Sequence, residues 1–399
     1  HSVEYPLSCP DTKTDTSPVR RRPLPSRPPQ TYPDGMLHRV GSSLEFGTPL
    51  LLAAVVLAAG LGVARAAEAQ PDPTPPDLTP PWPQEAALAD IAGDSITFPS
   101  HSPFTLADVG RGAERDPPTV AQGVFFLPRE ASAADPVPAV VMLHGASGVL
   151  DERELTYGRQ LAALGVAALV VDSFGARRDR ATRFIDRLLE ITETMILADA
   201  FGALRYLESR PEIDDGRVVL VGFSHGGMAA TYAAFAQVAE ALAPDGRRFA
   251  GHVAYYAPCI AEFEDGRATG APLLLLYGGK DGIIDPARCA ELAATLEAGG
   301  GRVETIVYPE ALHQWDGRFG APRMIGRNLA PCRFHVSKSG RISAASWPLQ
   351  MTGPFSRKMI LGLCAESEGY MIGRDDAVRE RSNADLGRFL EQVFAKSAQ

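Results

Sequence analysis

Three residues, far apart in the chain, are of the types that together can break an acyl bond: Ser224, Asp281 and His313. A serine hydroxyl is a weak nucleophile until a base takes its proton, and the base needs an acid to orient it. Ser224 sits in the G-x-S-x-G of "RVVLVGFSHGGMAATYAAF", between an apolar run and an alanine-rich one. That is the strand–turn–helix setting of a nucleophile elbow, with Gly222 and Gly226 clearing space around a strained serine. The following helix would point its N–H groups towards developing negative charge. The plain alternative is a glycine turn with no chemistry. Asp281 follows the apolar run in "LLLLYGGKDGIIDP", with Asp285 as the spare acid, and His313 follows that of "VETIVYPEALHQWD". Ser, acid, His is the chain order of one large class of serine hydrolases. His225 opens the helix after Ser224 and is expected to point away from it, so it is not the base. Its backbone N–H is one expected oxyanion donor, and that of Ala146 in "VVMLHGASG" is the other. "HGASG" also reads as an ordinary glycine turn.

These residues need a scaffold that brings strand ends together. From about residue 85 apolar runs alternate with helical periodicity. "TVAQGVFFLP", "PAVVMLHG", "VAALVVDSF", "RVVLVGF", "HVAYYA", "APLLLLYGG" and "RVETIVYPE" read as strands. "ERELTYGRQLAAL", "RFIDRLLEITETMILADAFGALRYLESR", "GGMAATYAAFAQVAEAL", "PARCAELAATLEAG" and "DDAVRERSNADLGRFLEQVFAK" read as helices. Continuous apolar strands between helices mean an α/β fold with a mostly parallel sheet covered on both faces. Ligands then bind beyond the carboxyl ends of the strands. Residues 315–373 break the pattern. They carry Phe319, Phe334, Trp347 and two cysteines but little periodicity, and are expected to form a cap or side-lobe insertion, stapled by Cys332–Cys364.

The 399 residues carry a net charge of −9 and no basic run in the globular part, which argues against a nucleic-acid partner. Residues 1–35 read as upstream sequence outside the fold. Residues 36–66 have the order of a secretory signal peptide: Arg39, an apolar run from Pro49 to Val63, then Ala64-Arg65-Ala66. The run is short of the roughly 20 residues a membrane span needs. Export to the periplasm or outside the cell is therefore expected, with membrane anchoring only if the segment stays uncleaved. Residues 67–84 are rich in proline and read as an extended linker, and 85–399 as the folded domain. Of the cysteines beyond the signal, Cys259, Cys289, Cys332 and Cys364 allow three pairings, which spacing does not choose among. An oxidising compartment favours pairing, and reduced buried thiols are the alternative. No Cys or His spacing suggests a metal site, and no cofactor is expected.

From about Ala121 to Phe394 the chain resembles the dienelactone hydrolase family of α/β-hydrolases, in its exported, serine-nucleophile branch. "HGASG", "DSF", "GFSHGG", "GGKD", "YPEALH" and the closing helix come in that family's order. The resemblance implies Ser224 as nucleophile, Asp281 as acid, His313 as base, and Ala146 and His225 as oxyanion donors. It also implies a Cys259–Cys289 pair. The founding enzymes differ: they use a cysteine nucleophile where Ser224 stands and a glutamate at the position of Gly145. They hold a substrate carboxylate with arginines, for which Arg177 and Arg178 are the candidates. The expectation is an exported serine hydrolase of a small-molecule carboxylic ester or lactone. A serine peptidase on the same scaffold and a non-catalytic binding protein of this fold are the rivals.

Overall fold

The computed structural model describes residues 76–180 and 183–396. The expected upstream segment, the signal peptide and the first part of the linker lie outside them. The main sheet is built from β1 (Asp94–His101), β2 (Pro118–Phe126), β3 (Val137–Leu143), β4 (Ala167–Val171), β5 (Ile213–Phe223), β6 (Gly251–Tyr255), β8 (Pro272–Gly278) and β9 (Arg302–Tyr308); β7 (Ala261–Phe263) lies outside it. Its order is β1-β2-β4-β3-β5-β6-β8-β9. Every pairing from β4 through β9 is parallel, while β1 and β2 are antiparallel. This is the mostly parallel α/β-hydrolase sheet. β1 was not legible as a strand: its "DSITFPSH" buries little more than Phe98 deeply and alternates weakly.

The strands are apolar throughout because both faces are covered. Val140 and Met142 face one core; Val141 and Leu143 face the other. The first core is closed by α2 (Thr156–Ala163) and by the C-terminal helix Asp376–Lys396. Packed on the second are α4 (Glu193–Glu208), α5 (His225–Tyr232), α6 (Ala236–Leu242) and α7 (Pro286–Ala298), while α3 (Phe184–Glu190) lies outside it. The long helix expected over 183–210 is two helices, because Ile191 leaves the helical conformation and Thr192 caps α4 through its side chain on the Met195 N–H. The helix expected after Ser224 is likewise α5 and α6, broken before Phe235, which is extended.

The proline-rich stretch is not a free linker up to residue 84. Leu78 and Trp82 are buried, the Leu78 N–H donates to Glu391, and the Trp82 indole donates to the Leu78 carbonyl. Proline excludes regular structure there but not packing.

The stretch expected as a lobe has more structure than its periodicity suggests. β10 (Arg323–Ile325) pairs with β14 (Tyr370–Ile372). β11 (Phe334–Val336), β12 (Ile342–Ala344) and β13 (Gln350–Met351) continue a sheet begun by β7 in the body. α8 (Pro354–Cys364) ends on the disulfide Cys332–Cys364. Trp315 belongs to the core, fully buried against Tyr255 and Tyr256, so the lobe begins after it. The second disulfide is Cys259–Cys289. No helix among the described residues is long and apolar enough to cross a membrane.

Candidate active site

β5 delivers Ser224 at its carboxyl end, and α5 starts on the next residue. Ser224 has φ 52° and ψ −108°, a conformation that costs free energy for any residue with a Cβ. Neighbouring glycines make it possible. A methyl on Gly226 would overlap the Leu143 and His144 carbonyl oxygens, and one on Gly222 would overlap the Gly226 carbonyl. The Ser224 N–H donates to the Tyr255 carbonyl at 2.9 Å, which ties the turn to β6.

Asp281 and His313 meet Ser224 because the ends of β8 and β9 are laced together. The Gly279 N–H donates to Tyr308 O and the Lys280 N–H to Ala311 O. Glycine is needed at 278, where a Cβ would overlap the Ala311 carbonyl. His313 Nε2 lies 2.9 Å from Ser224 Oγ, and His313 Nδ1 lies 2.7 Å from Asp281 Oδ2. A carboxylate only accepts, so Nδ1 carries the proton, and Nε2 is left to accept from the serine hydroxyl. The other Asp281 oxygen accepts from the Ile283 N–H. Ser224 retains 8% exposure, whereas the His313 side chain is fully buried. The lobe grips His313 by its backbone: its N–H donates to Met371 O, and its carbonyl accepts from the Gly373 N–H. Tyr256 and Tyr370 meet the imidazole edge-on, with centroids 4.7 and 5.2 Å away.

The loop after β3 lies against Ser224; a Cβ at Gly145 would stand 3.5 Å from Ser224 Cβ. Among the described residues neither the Ala146 nor the His225 N–H has a hydrogen-bond partner. The His225 ring turns away from Ser224, with Nε2 3.2 Å from Glu193 Oε1. His144 is buried, which holds its pKa below the usual range, and its ring lies 4.4 Å from Phe174.

Some sequence candidates are occupied elsewhere. Asp285 caps α7 through the Ala287 N–H and pairs with Arg333. Arg177 is buried in a bidentate pair with Asp199 and also donates to Ser102, Ser173 O and His101 O, so it is not free to hold a substrate. Arg178 is exposed and 3.8 Å from Asp172. Arg187 was not singled out by sequence. Its guanidinium lies over the Phe174 ring at 5.5 Å, beside Gly148 of the loop after β3, without an acidic partner among the described residues. Also illegible was a buried network behind the site. Arg153 pairs with Glu154 and donates to the Tyr256 hydroxyl at 3.2 Å; that hydroxyl donates to Asp316 at 2.5 Å. In the sequence Arg153 and Glu154 look like surface charges on an amphipathic helix. A first turn wound wide over Asp151–Leu155 rotates both inward. Among the described residues no cluster of three or more His, Cys, Asp or Glu side chains could hold a metal.

Residues 122–320 match the model of the dienelactone hydrolase family. Over 132 residues the chain is 30% identical to a Bacillus subtilis protein named as a hydrolase, YtaP, covering 29% of this chain and 44% of that one. Over 185 residues it is 25% identical to a Methylorubrum extorquens protein named as a carboxymethylenebutenolidase, covering 45% and 63%. The chain thus spans about half the length of the curated relatives it matches. Similar solved structures include the dienelactone hydrolase-like promiscuous phosphotriesterase P91 from metagenomic libraries: 20% identity, TM-score 0.40, 56% of this chain and 84% of that one. Butyrate-bound esterase 2 of Thermogutta terrifontis is another, at 16% identity and TM-score 0.42, covering 57% and 86%.

Proposed function

Since residues 122–320 of this chain form a domain of the dienelactone hydrolase family, we propose that the protein is an exported serine hydrolase that cleaves a small carboxylic ester or lactone through an acyl-enzyme. The observation that carries this reading is the hydrogen-bonded line Ser224–His313–Asp281, at 2.9 and 2.7 Å, on a positive-φ elbow.

Ser224 Oγ attacks the ester carbonyl as its proton passes to His313 Nε2. Asp281 keeps the other imidazole nitrogen protonated and stabilises the imidazolium. The carbonyl oxygen becomes an oxyanion, held by the N–H groups of Ala146 and His225. Collapse breaks the bond to the alkoxy group, which leaves with the proton from His313. Water then gives its proton to His313 and attacks the acyl carbon. The acyl–Oγ bond breaks, Ser224 recovers its proton, and the acid departs. In a lactone the leaving alcohol stays on the acyl part. Nothing in these steps calls on a cofactor.

Export rests on the 36–66 pattern together with two disulfides, which persist in oxidising compartments. Purified exported protein should begin just after Ala66; retention of the apolar run would replace secretion by anchoring.

A fluorophosphonate probe followed by peptide mapping tests the chemistry. The expected result is one adduct on Ser224, with turnover of p-nitrophenyl esters and no cleavage of peptides. An unlabelled Ser224 would favour a binding protein, and peptide cleavage a peptidase.

A further inference from the structure

The lobe reaches the reaction centre by a second route, separate from its grip on His313. Arg357, on α8, passes its guanidinium to Glu193 at the first turn of α4, 164 residues away in sequence, with Nη1 2.9 Å from Oε2 and Nη2 2.8 Å from Oε1. Its Nε donates to the Leu188 carbonyl at 2.8 Å, fixing the plane of the fork. Glu193 Oε1 in turn faces His225 Nε2. All three side chains are largely buried: 5% of Arg357, 12% of Glu193 and 4% of His225 is exposed. Burial opposes the charge on Glu193, but Arg357 and then His225 overcome it and hold the carboxyl well below its usual range.

His225 is the residue after the nucleophile, so its ring and its N–H are two ends of one rigid unit at the start of α5. We propose that Arg357 is a positioning residue: through Glu193 it fixes the His225 ring and so aims the His225 N–H at the carbonyl oxygen. This rests on the reading of Ser224 as nucleophile and His225 as oxyanion donor. A buried ion pair adds little stability over well-packed apolar side chains. A bidentate fork does add geometric specificity, and an oxyanion donor is the kind of group that needs it.

The charge arrangement distinguishes positioning from mere packing. Around His225 stand Glu193 from α4, Arg357 from α8 and His144 from the loop after β3, with the Phe174 ring 6.4 Å away. The buried Tyr232 hydroxyl is near enough for the Glu193 charge to raise its pKa. With Arg357 removed, Glu193 loses its main countercharge while burial still opposes its ionisation, so its carboxyl titrates at higher pH than in the intact protein. Where Glu193 is protonated it stays against the His225 ring and the elbow keeps its aim. At higher pH the carboxylate is buried without its countercharge, and it must move.

The experiment is steady-state hydrolysis of p-nitrophenyl acetate by the full chain across pH, with folding followed by circular dichroism. Arg357→Met should leave KM nearly unchanged and lower kcat on the order of 10²-fold at alkaline pH, the scale of a small misplacement at a reacting centre. The loss should shrink towards acidic pH, adding a descending alkaline limb to the profile. Arg357→Lys keeps the charge but not the three-bond fork and should recover part of kcat. Glu193→Gln/Arg357→Met removes both charges and should lose the alkaline limb. An Arg357→Met protein with unaltered kcat at every pH overturns the proposal, as does a loss that is uniform with pH and matches a smaller folded fraction. Should Arg357→Met not fold, Arg357→Lys with wild-type kcat and profile overturns it as well. Turnover surviving in Ser224→Ala sinks the reading beneath it instead, and so separates the two failures.

Discussion

Ser224, Gly222 and Gly226 carry different loads at one turn. Ser224→Ala removes only a hydroxyl from an 8% exposed position, so turnover should vanish while the melting temperature scarcely moves; esterase assays and thermal melts report the two separately. Gly226→Ala forces a methyl onto two backbone oxygens, neither of which is the tip of a flexible side chain. Its cost should be on the order of 3 kcal/mol in a urea melt. The two aspartates of "GGKDGIIDP" separate just as cleanly. Asp281→Asn should lower kcat by about 10⁴-fold, since an amide at that site favours the wrong imidazole tautomer. Asp285→Ala should instead remove an N-cap, costing about 1 kcal/mol of stability with activity retained. If Asp285→Ala is the inactive variant, the acid has been misassigned. Arg187 lies over Phe174 without an acidic partner among the described residues, so an ester carrying an anionic group should bind better than a neutral one. Arg187→Met should raise KM for such an ester and leave that of a neutral ester of equal size nearly unchanged. Asp281 and His313 were legible because each follows an apolar strand in the order this chemistry requires. Arg187 was not, because its meaning depends on which side of a helix faces the oxyanion loop.

At the level of elements, sequence reads best where one periodicity runs unbroken. β3, β5 and β8 carry continuous apolar runs that each run into a glycine, Gly145, Gly222 and Gly278, and each stands where its pattern puts it. The break between α3 and α4 was hidden because Thr192 acts through a cap, a single side-chain hydrogen bond that leaves the apolar spacing intact. The lobe was hidden because its strands are three residues long or shorter and take their partner, β7, from a distant part of the chain. The N-terminal boundary was misread for a related reason: packing of Leu78 and Trp82 on the C-terminal helix and on α2 is a long-range contact within a segment that local rules call linker. A chain beginning at Glu85 should therefore lose roughly 3–6 kcal/mol, the worth of burying two large apolar side chains. Urea melts of the two chains measure this, and equal midpoints would return the segment to linker status. The Cys332–Cys364 bridge closes a loop of sequence separation 32. Replacing both cysteines by serine should cost about 3–4 kcal/mol by loop entropy. Because β14 holds the His313 backbone, esterase activity should decline at a lower temperature than in the intact protein.

Taken as a whole molecule, the lobe and the body share a buried charge pair, Arg357 with Glu193, and that linkage sets the response to acid. Glu193 is buried between α4 and α8, and its folded-state pKa lies well below the ordinary glutamate value of 4.5. A carboxylate depressed on folding binds protons more readily in the unfolded chain. Between the depressed value and 4.5 the unfolded state holds more of that proton, so stability rises with pH across this window and is level above it. The Glu193–Arg357 pair thus contributes fully near neutrality. Its contribution drains away only as pH falls below 4.5 towards the folded-state value. Asp316 runs the other way. Burial raises its pKa despite the nearby Arg153 charge and the Tyr256 hydroxyl, so its share of stability is present below 3.8 and is lost as pH rises through the folded value. The two opposing slopes overlap in acid, where a single variant separates them. Glu193→Gln cannot titrate, so below pH 4.5 its melting temperature should fall less steeply than that of the intact protein. Above that pH it should lie lower by a constant amount, because Arg357 is left buried without its carboxylate. Parallel melting curves from neutrality down to strongly acidic pH would mean that Glu193 titrates in the folded protein as it does in the unfolded chain, and that α8 is held to the body by packing alone.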